Sequence, residues 1–145
     1  MTRPVQFQKG NEENIFIYHY VEELVSDFGK HLKETFDESD LTKTEFPFLV
    51  RIRFKEKTTQ KELVELFKVS EGYTAKLLRR FEDKGYITRM ENPKNRRQKI
   101  VELTPKGIEK TDELLKLIDE WENQETSKLS DDELKTLKRL LFKLL

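Results

Sequence analysis

Apolar residues near the start of the chain recur at steps of about four positions. They form one stripe that consists of Phe16, Tyr20 or Val21, Leu24, Phe28 and Leu32. A period of about 3.6 residues places such a stripe on one face of an α-helix. The pattern therefore predicts a long first helix from Asn14 to about Phe36, ended by the polar residues 37–40.

Capping residues predict three more helices in the first half of the chain. The second should run from the pair Thr42 and Glu45 to about Phe54, with a slightly later start or a mild kink because Pro47 lies near its first turn. The third helix is short and begins at the capping pair Thr59 and Glu62. The fourth follows within a few residues, is capped by Ser70 and ends at Gly85. Two short helices joined by a tight turn make a helix-turn-helix.

A β-hairpin is predicted after the fourth helix. Two β-rich runs, 86–90 and 99–103, flank a polar segment that carries the turn-forming residues Asn92, Pro93 and Asn95. This arrangement is typical of a hairpin, here with an arginine-bearing tip.

Two helices should complete the chain. Thr104 and Pro105 fit a helix N-cap and first position, which predicts a fifth helix to about Glu125. Ser130 with Glu133 predicts a sixth that continues to the C-terminus. No repeat or flexible linker interrupts the pattern, so we expect a single domain over residues 1–145.

The composition argues against several classes of protein. The chain has 145 residues and no cysteine, which excludes disulfides, thiolate catalysis and zinc fingers. No apolar run is long enough for a membrane span and no signal peptide is evident, so a cytoplasmic protein is expected. His19 and His31 have no partner at metal-ligand spacing, and no catalytic motif is present. Neither an enzyme nor a metal or cofactor site is predicted.

Charge is segregated along the chain although it sums to zero. Lys and Arg total 28, and Asp and Glu also total 28. The window from Lys76 to Lys99 nevertheless contains nine basic and three acidic residues, a net charge of +6. Such a window is typical of a face that meets phosphates, although surface charge also fluctuates by chance.

Three local patterns in the predicted helix-turn-helix and hairpin are informative together: Thr59 to Leu63, Arg80 to Arg89, and Asn92 to Arg97 followed by Leu103 to Gly107. They resemble the MarR family, the regulators named for multiple antibiotic resistance. The resemblance implies a mainly α fold with a small β-hairpin wing. Its winged helix-turn-helix DNA-binding core would span about residues 41–103, flanked by dimerisation helices at about 12–36 and 104–145.

The chain departs from the family pattern at the wing. The family usually has an aspartate where this chain has Asn95, and that carboxylate helps to hold the wing arginine. An amide can still hydrogen-bond but lacks charge assistance, so we expect a weaker grip on Arg97.

The fourth helix has the composition of a recognition helix, which presents small, polar and cationic groups to base edges. With the start of the third helix, it supplies the candidate DNA contacts Thr59, Gln60, Lys61, Ser70, Gly72, Tyr73, Thr74, Lys76 and Arg80. Gly72 is informative because glycine inside a helix costs about 1 kcal/mol relative to alanine, and close approach of DNA would account for it. Glu71 fits least well, since a carboxylate repels phosphates and is useful only where it accepts from a cytosine amine.

The wing supplies the remaining candidates. Lys94, Arg96 and Arg97 are expected to meet phosphates or to enter the adjacent minor groove. Other arginines are ambiguous, because each can reach a phosphate or pair within the subunit with Glu82, Asp83 or Glu91; they are Arg79, Arg80 and Arg89.

The predicted function is sequence-specific DNA binding by a homodimeric repressor. Its recognition helices would lie about 34 Å apart on a pseudo-palindromic operator. The resemblance adds a small aromatic or anionic effector bound between the dimerisation helices and the helix-turn-helix, although the aromatic residues of the N-terminal half also suit core and dimer packing. The alternative is a winged helix that serves as a protein-interaction module, which the zero net charge, Glu71 and Asn95 favour.

Overall fold

The structure is a computed structural model that describes residues 2–145. These residues form two compact units, one that ends at Phe36 and one from Asp37 to Leu145. The first unit contains a short 3-10 helix, Glu12–Asn14, and the long helix α1, Ile17–Thr35. The predicted first helix is confirmed, and it begins three residues later than expected.

The second unit contains the other five α-helices and three strands. In chain order they are α2 (Phe46–Lys55), β1 (Thr58–Thr59), α3 (Gln60–Phe67), α4 (Glu71–Asp83), β2 (Ile87–Asn92), β3 (Asn95–Leu103), α5 (Pro105–Glu125) and α6 (Asp131–Leu144). Within residues 2–145, no helix is long and apolar enough to cross a membrane.

Most of these helices begin where their capping residues predicted. Each capping hydroxyl accepts a hydrogen bond from a main-chain N–H three residues later, and these residues are Thr59, Ser70, Thr104 and Ser130. Thr42 makes the same contact with the N–H of Glu45 at 3.1 Å, but α2 itself begins only at Phe46. The later start that Pro47 indicated is confirmed.

The sheet is antiparallel, and its strand order is β1-β3-β2. The strands β2 and β3 form the predicted hairpin, which we call the wing. The third strand was not predicted: Thr58 pairs with Val101 and Thr59 with Ile100. Two residues are too few to show the alternation by which strands are found in a sequence.

The core of the second unit holds α4 by one face. Its largest fully buried apolar side chains come from α4 itself, from the connection before α2, and from α2, α3, β2, β3 and α5. They are Leu41, Phe46, Leu49, Ile52, Leu63, Leu78, Phe81, Ile87, Val101 and Leu114. Because the buried face of α4 is fixed in this way, its opposite face is left exposed.

Candidate nucleic-acid interface

The exposed face of α4 carries a stripe of four residues. Gly72, Lys76, Arg79 and Asp83 are all exposed, and their spacing of four, three and four residues places them on one side of the helix. Ser70 caps the helix by accepting from the N–H of Tyr73 at 3.1 Å, which fixes where this face begins. This stripe and the exposed Glu71 at the start of α4 are available to a partner.

Two of the predicted contacts on α4 are directed elsewhere. Thr74 is fully buried, and its hydroxyl donates to the carbonyl of Ser70 at 3.0 Å, so its expected place on the DNA-facing surface is wrong. The reason is its spacing, since Thr74 precedes the buried Leu78 by one turn. The ring of Tyr73 is half-buried and packs edge-on against Phe48, with 6.0 Å between ring centroids.

Arg80 is held in an ion pair on one flank of α4. Its Nε lies 2.6 Å from a carboxylate oxygen of Glu45, and its Nη2 donates to the carbonyl of Asp40 at 3.4 Å. The sequence analysis considered neither Glu45 nor Asp40 as a partner of Arg80, because both are at least 35 residues from Arg80 along the chain. A phosphate would have to compete with this pair for Arg80.

Arg89 occupies the other flank. Its guanidinium donates to Glu82 at 3.0 Å and to the side-chain oxygen of Gln60 at 3.5 Å. The hydrogen bond from Arg89 lowers the pKa of Glu82, against the opposing effect of burial. Of the two alternatives left open by the sequence, a phosphate contact or an internal ion pair, Arg89 forms the internal pair. Its hydrogen bonds connect the wing to α3 and α4.

The wing tip is ordered by two asparagines. Asn92 accepts from the N–H of Lys94 at 3.0 Å, and Asn95 accepts from the N–H of Arg97 at 3.1 Å. Asn95 thus holds the main chain of Arg97, a contact that needs no charge. Lys94, Arg96 and Arg97 are exposed and form no ion pair within residues 2–145.

The start of α3 adjoins the wing across a groove of about 500 Å³. Its lining residues are Gln60, Lys61, Val64, Glu65, Glu71, Arg97, Gln98 and Lys99. Thr59 is half-buried and its hydroxyl accepts the N–H of Glu62, whereas Lys61 is exposed. Of the three predicted contacts at this helix start, Lys61 is the most accessible.

Ion pairing divides the basic residues of the Lys76 to Lys99 window into two groups. Three are paired with carboxylates of the second unit: Arg80, Lys84 and Arg89. The other six are exposed, with no ion pair among the described residues, and they are Lys76, Arg79, Lys94, Arg96, Arg97 and Lys99. Lys99 was not among the candidate contacts. The sequence left Arg79 open between a phosphate contact and an internal ion pair, and within residues 2–145 it forms no such pair.

Known proteins resemble this chain over nearly its whole length. The MarR family model matches residues 41–99. The HTH-type transcriptional regulator BilQ of Clostridium symbiosum is 30% identical over 91% of this chain and 91% of its own. The multiple antibiotic resistance protein MarR of Escherichia coli is 33% identical over 79% and 80% of the two chains. The chain belongs to the MarR family.

Solved structures of MarR proteins share the fold. One crystal structure of MarR superposes with a TM-score of 0.78 at 28% identity, covering 90% of this chain and 89% of the other. A mutant MarR of E. coli complexed with operator DNA gives a TM-score of 0.72 at 27% identity, covering 95% and 99%. The chain is thus a MarR-family transcriptional regulator with a winged helix-turn-helix fold. The region that matches the family model contains α3, α4 and most of the wing, where the six unpaired cations lie.

Proposed function

We propose that this MarR-family regulator binds double-stranded operator DNA, with α4 in the major groove and the wing on the flanking backbone or minor groove. The observation that carries the proposal is the set of six exposed, unpaired cations on α4 and the wing. Cations without internal partners are free to replace the counterions of phosphates, which is the main source of affinity for DNA. The E. coli MarR structure with operator DNA supports the same assignment.

A homodimer accounts for the composition of α6. None of its residues is buried, and its exposed apolar side chains are Leu137, Leu140, Leu141, Phe142 and Leu144. A contiguous apolar surface of this kind normally marks an interface. We infer that a second copy of the chain covers it, so that a two-fold dimer places its recognition helices on half-sites about 34 Å apart.

We further propose that the dimer represses transcription by occupying a promoter and is released by a small aromatic anion. A cavity of about 400 Å³ lies between α2, β3 and α5, lined by Arg53, Glu56, Lys57, Glu102, Leu103 and Ile108. Its size is within the range of small-molecule sites, and its lining combines two apolar side chains with two cations and two carboxylates. Lys57 lies 3.2 Å from a carboxylate oxygen of Glu102, so an anion would compete with Glu102 for this lysine. Benzoate is a suitable probe: it should release the operator, and Lys57→Ala should weaken that release. No effect of benzoate on operator binding would contradict this part of the proposal.

Substitution of the wing arginines tests DNA binding directly. Replacing both Arg96 and Arg97 with alanine should lower operator affinity at least tenfold, because each subunit of the dimer loses two phosphate or minor-groove contacts. The slope of log affinity against log salt is expected to be about −5 for the wild type, for some six phosphates, and it should become shallower by up to about 3.6 when four contacts are lost per dimer. The double variant should remain dimeric by light scattering.

The matched control removes two other exposed lysines. Lys116 and Lys128 are exposed and form no ion pair within residues 2–145, so replacing both with alanine should leave operator affinity unchanged. Wild-type binding that does not vary with salt would overturn the proposal and favour the protein-interaction module.

A further inference from the structure

Glu71 is the first residue of α4, and it lines the groove between α3 and the wing. The charged residues that share the groove are Lys61, Glu65, Arg97 and Lys99. Glu71 is exposed, and its carboxylate has no hydrogen bond or ion pair among residues 2–145. We propose, on the basis of the DNA binding proposed above, that Glu71 accepts a hydrogen bond from a cytosine amine in the major groove and so determines one base of each half-site.

The chemistry of the major groove selects cytosine. A carboxylate accepts hydrogen bonds and donates none, whereas phosphates, guanine and thymine offer it only acceptors. Adenine offers one donor at N6 beside an acceptor at N7, which a carboxylate cannot satisfy. Cytosine N4 is the donor that a carboxylate can use without facing a second acceptor of the same base.

The cations of the groove make this role feasible. A carboxylate alone would repel the DNA backbone, but Lys61, Arg97 and Lys99 line the same groove and can hold phosphates close to it. The cations then supply affinity for DNA of any sequence. Glu71 lowers the affinity for operators that lack a hydrogen-bond donor at the base it contacts. An acidic residue in the first turn also stabilises the helix through a favourable interaction with the helix dipole, but that effect does not depend on the DNA sequence.

Selection of bound sequences from a random DNA pool distinguishes the two roles. The wild type should enrich cytosine at one position of each half-site. Glu71→Gln should change that preference to adenine, because an amide can accept from N6 and donate to N7. Glu65→Gln removes a carboxylate from the same groove but from α3, and it should keep cytosine. Glu71→Ala should lose the preference at that position and retain the rest of the motif.

Affinities for paired operators complete the test. Replacing the selected cytosine with thymine should weaken wild-type binding about tenfold and leave Glu71→Ala binding almost unchanged. Identical motifs for the wild type, Glu71→Gln and Glu71→Ala would overturn the role of Glu71 and leave DNA binding intact. A wild type that enriches no motif at all would instead overturn the proposed function, and this inference with it.

Discussion

Asp40 joins several parts of the second unit through a single side chain. Its carboxylate accepts hydrogen bonds from Tyr86, from Lys84 at 2.8 Å and from Lys110 at 3.3 Å, and Arg80 donates to its main-chain carbonyl. These partners lie at the end of α4, just before β2, and in α5. We therefore predict that Asp40→Asn, which keeps the shape and removes the charge, destabilises the connection between the recognition helix, the wing and α5.

The magnitude follows from the pKa of the carboxyl group. Burial alone would raise the pKa of Asp40, but the hydrogen bonds from Lys84, Tyr86 and Lys110 outweigh it and lower the pKa from 3.8 to about 2. This difference corresponds to roughly 2 kcal/mol in favour of the charged form. Because 34% of the side chain is exposed, solvent screening reduces the effect. We expect Asp40→Asn to lower the free energy of unfolding by about 1–2 kcal/mol.

The sign of the pH dependence is also fixed. The pKa is lower in the folded state, so the stabilisation is fully present above the ordinary value of 3.8 and is lost as the pH falls through about 2. Urea unfolding should therefore show the full difference between wild type and variant near neutral pH and a smaller one at about pH 3. Asp83→Asn is the control, since Asp83 is exposed with no ion pair among the described residues, and its effect should stay within about 0.5 kcal/mol. An equally small effect of Asp40→Asn, or a difference that does not shrink in acid, would refute the reasoning.

Two glycine substitutions separate a residue that the fold requires from one that DNA binding is proposed to require. At Gly107 an added Cβ would clash with the carbonyl oxygen of Tyr86 and lie 3.0 Å from Leu103, so Gly107→Ala should cost about 3 kcal/mol in urea unfolding. A loss below about 1 kcal/mol would be incompatible with this packing. At Gly72 nothing lies within 4 Å of an added Cβ, so Gly72→Ala should stabilise the chain by up to about 1 kcal/mol. The same variant should bind the operator more weakly, and unchanged binding would argue against close approach of DNA to this helix.

Helix boundaries were predictable because caps act over a few residues. Thr59, Ser70 and Thr104 each accept an N–H from three residues later, so the sequence alone contains both partners. Side-chain orientation was less predictable. Thr74 has the polarity of a DNA-contacting residue, yet its place one turn before Leu78 puts it in the core. β1 escaped prediction because it exists only through pairing with β3, some 40 residues away.

Long-range ion pairs determine which basic residues remain unpaired in this chain, whose net charge is zero. Lys84 pairs with Asp40, and Arg80 with Glu45, at separations of 44 and 35 residues that no local pattern reveals. Together with Arg89 on Glu82, these contacts hold α4 on its flanks. They neutralise three of the nine basic residues between Lys76 and Lys99, and the six unpaired cations remain on α4 and the wing. Apart from Glu82, Asp83 and Glu91, the acidic residues lie outside this window of the chain, so overall neutrality is no argument against DNA binding. What matters for a polyanion is the charge left unpaired on the surface that meets it.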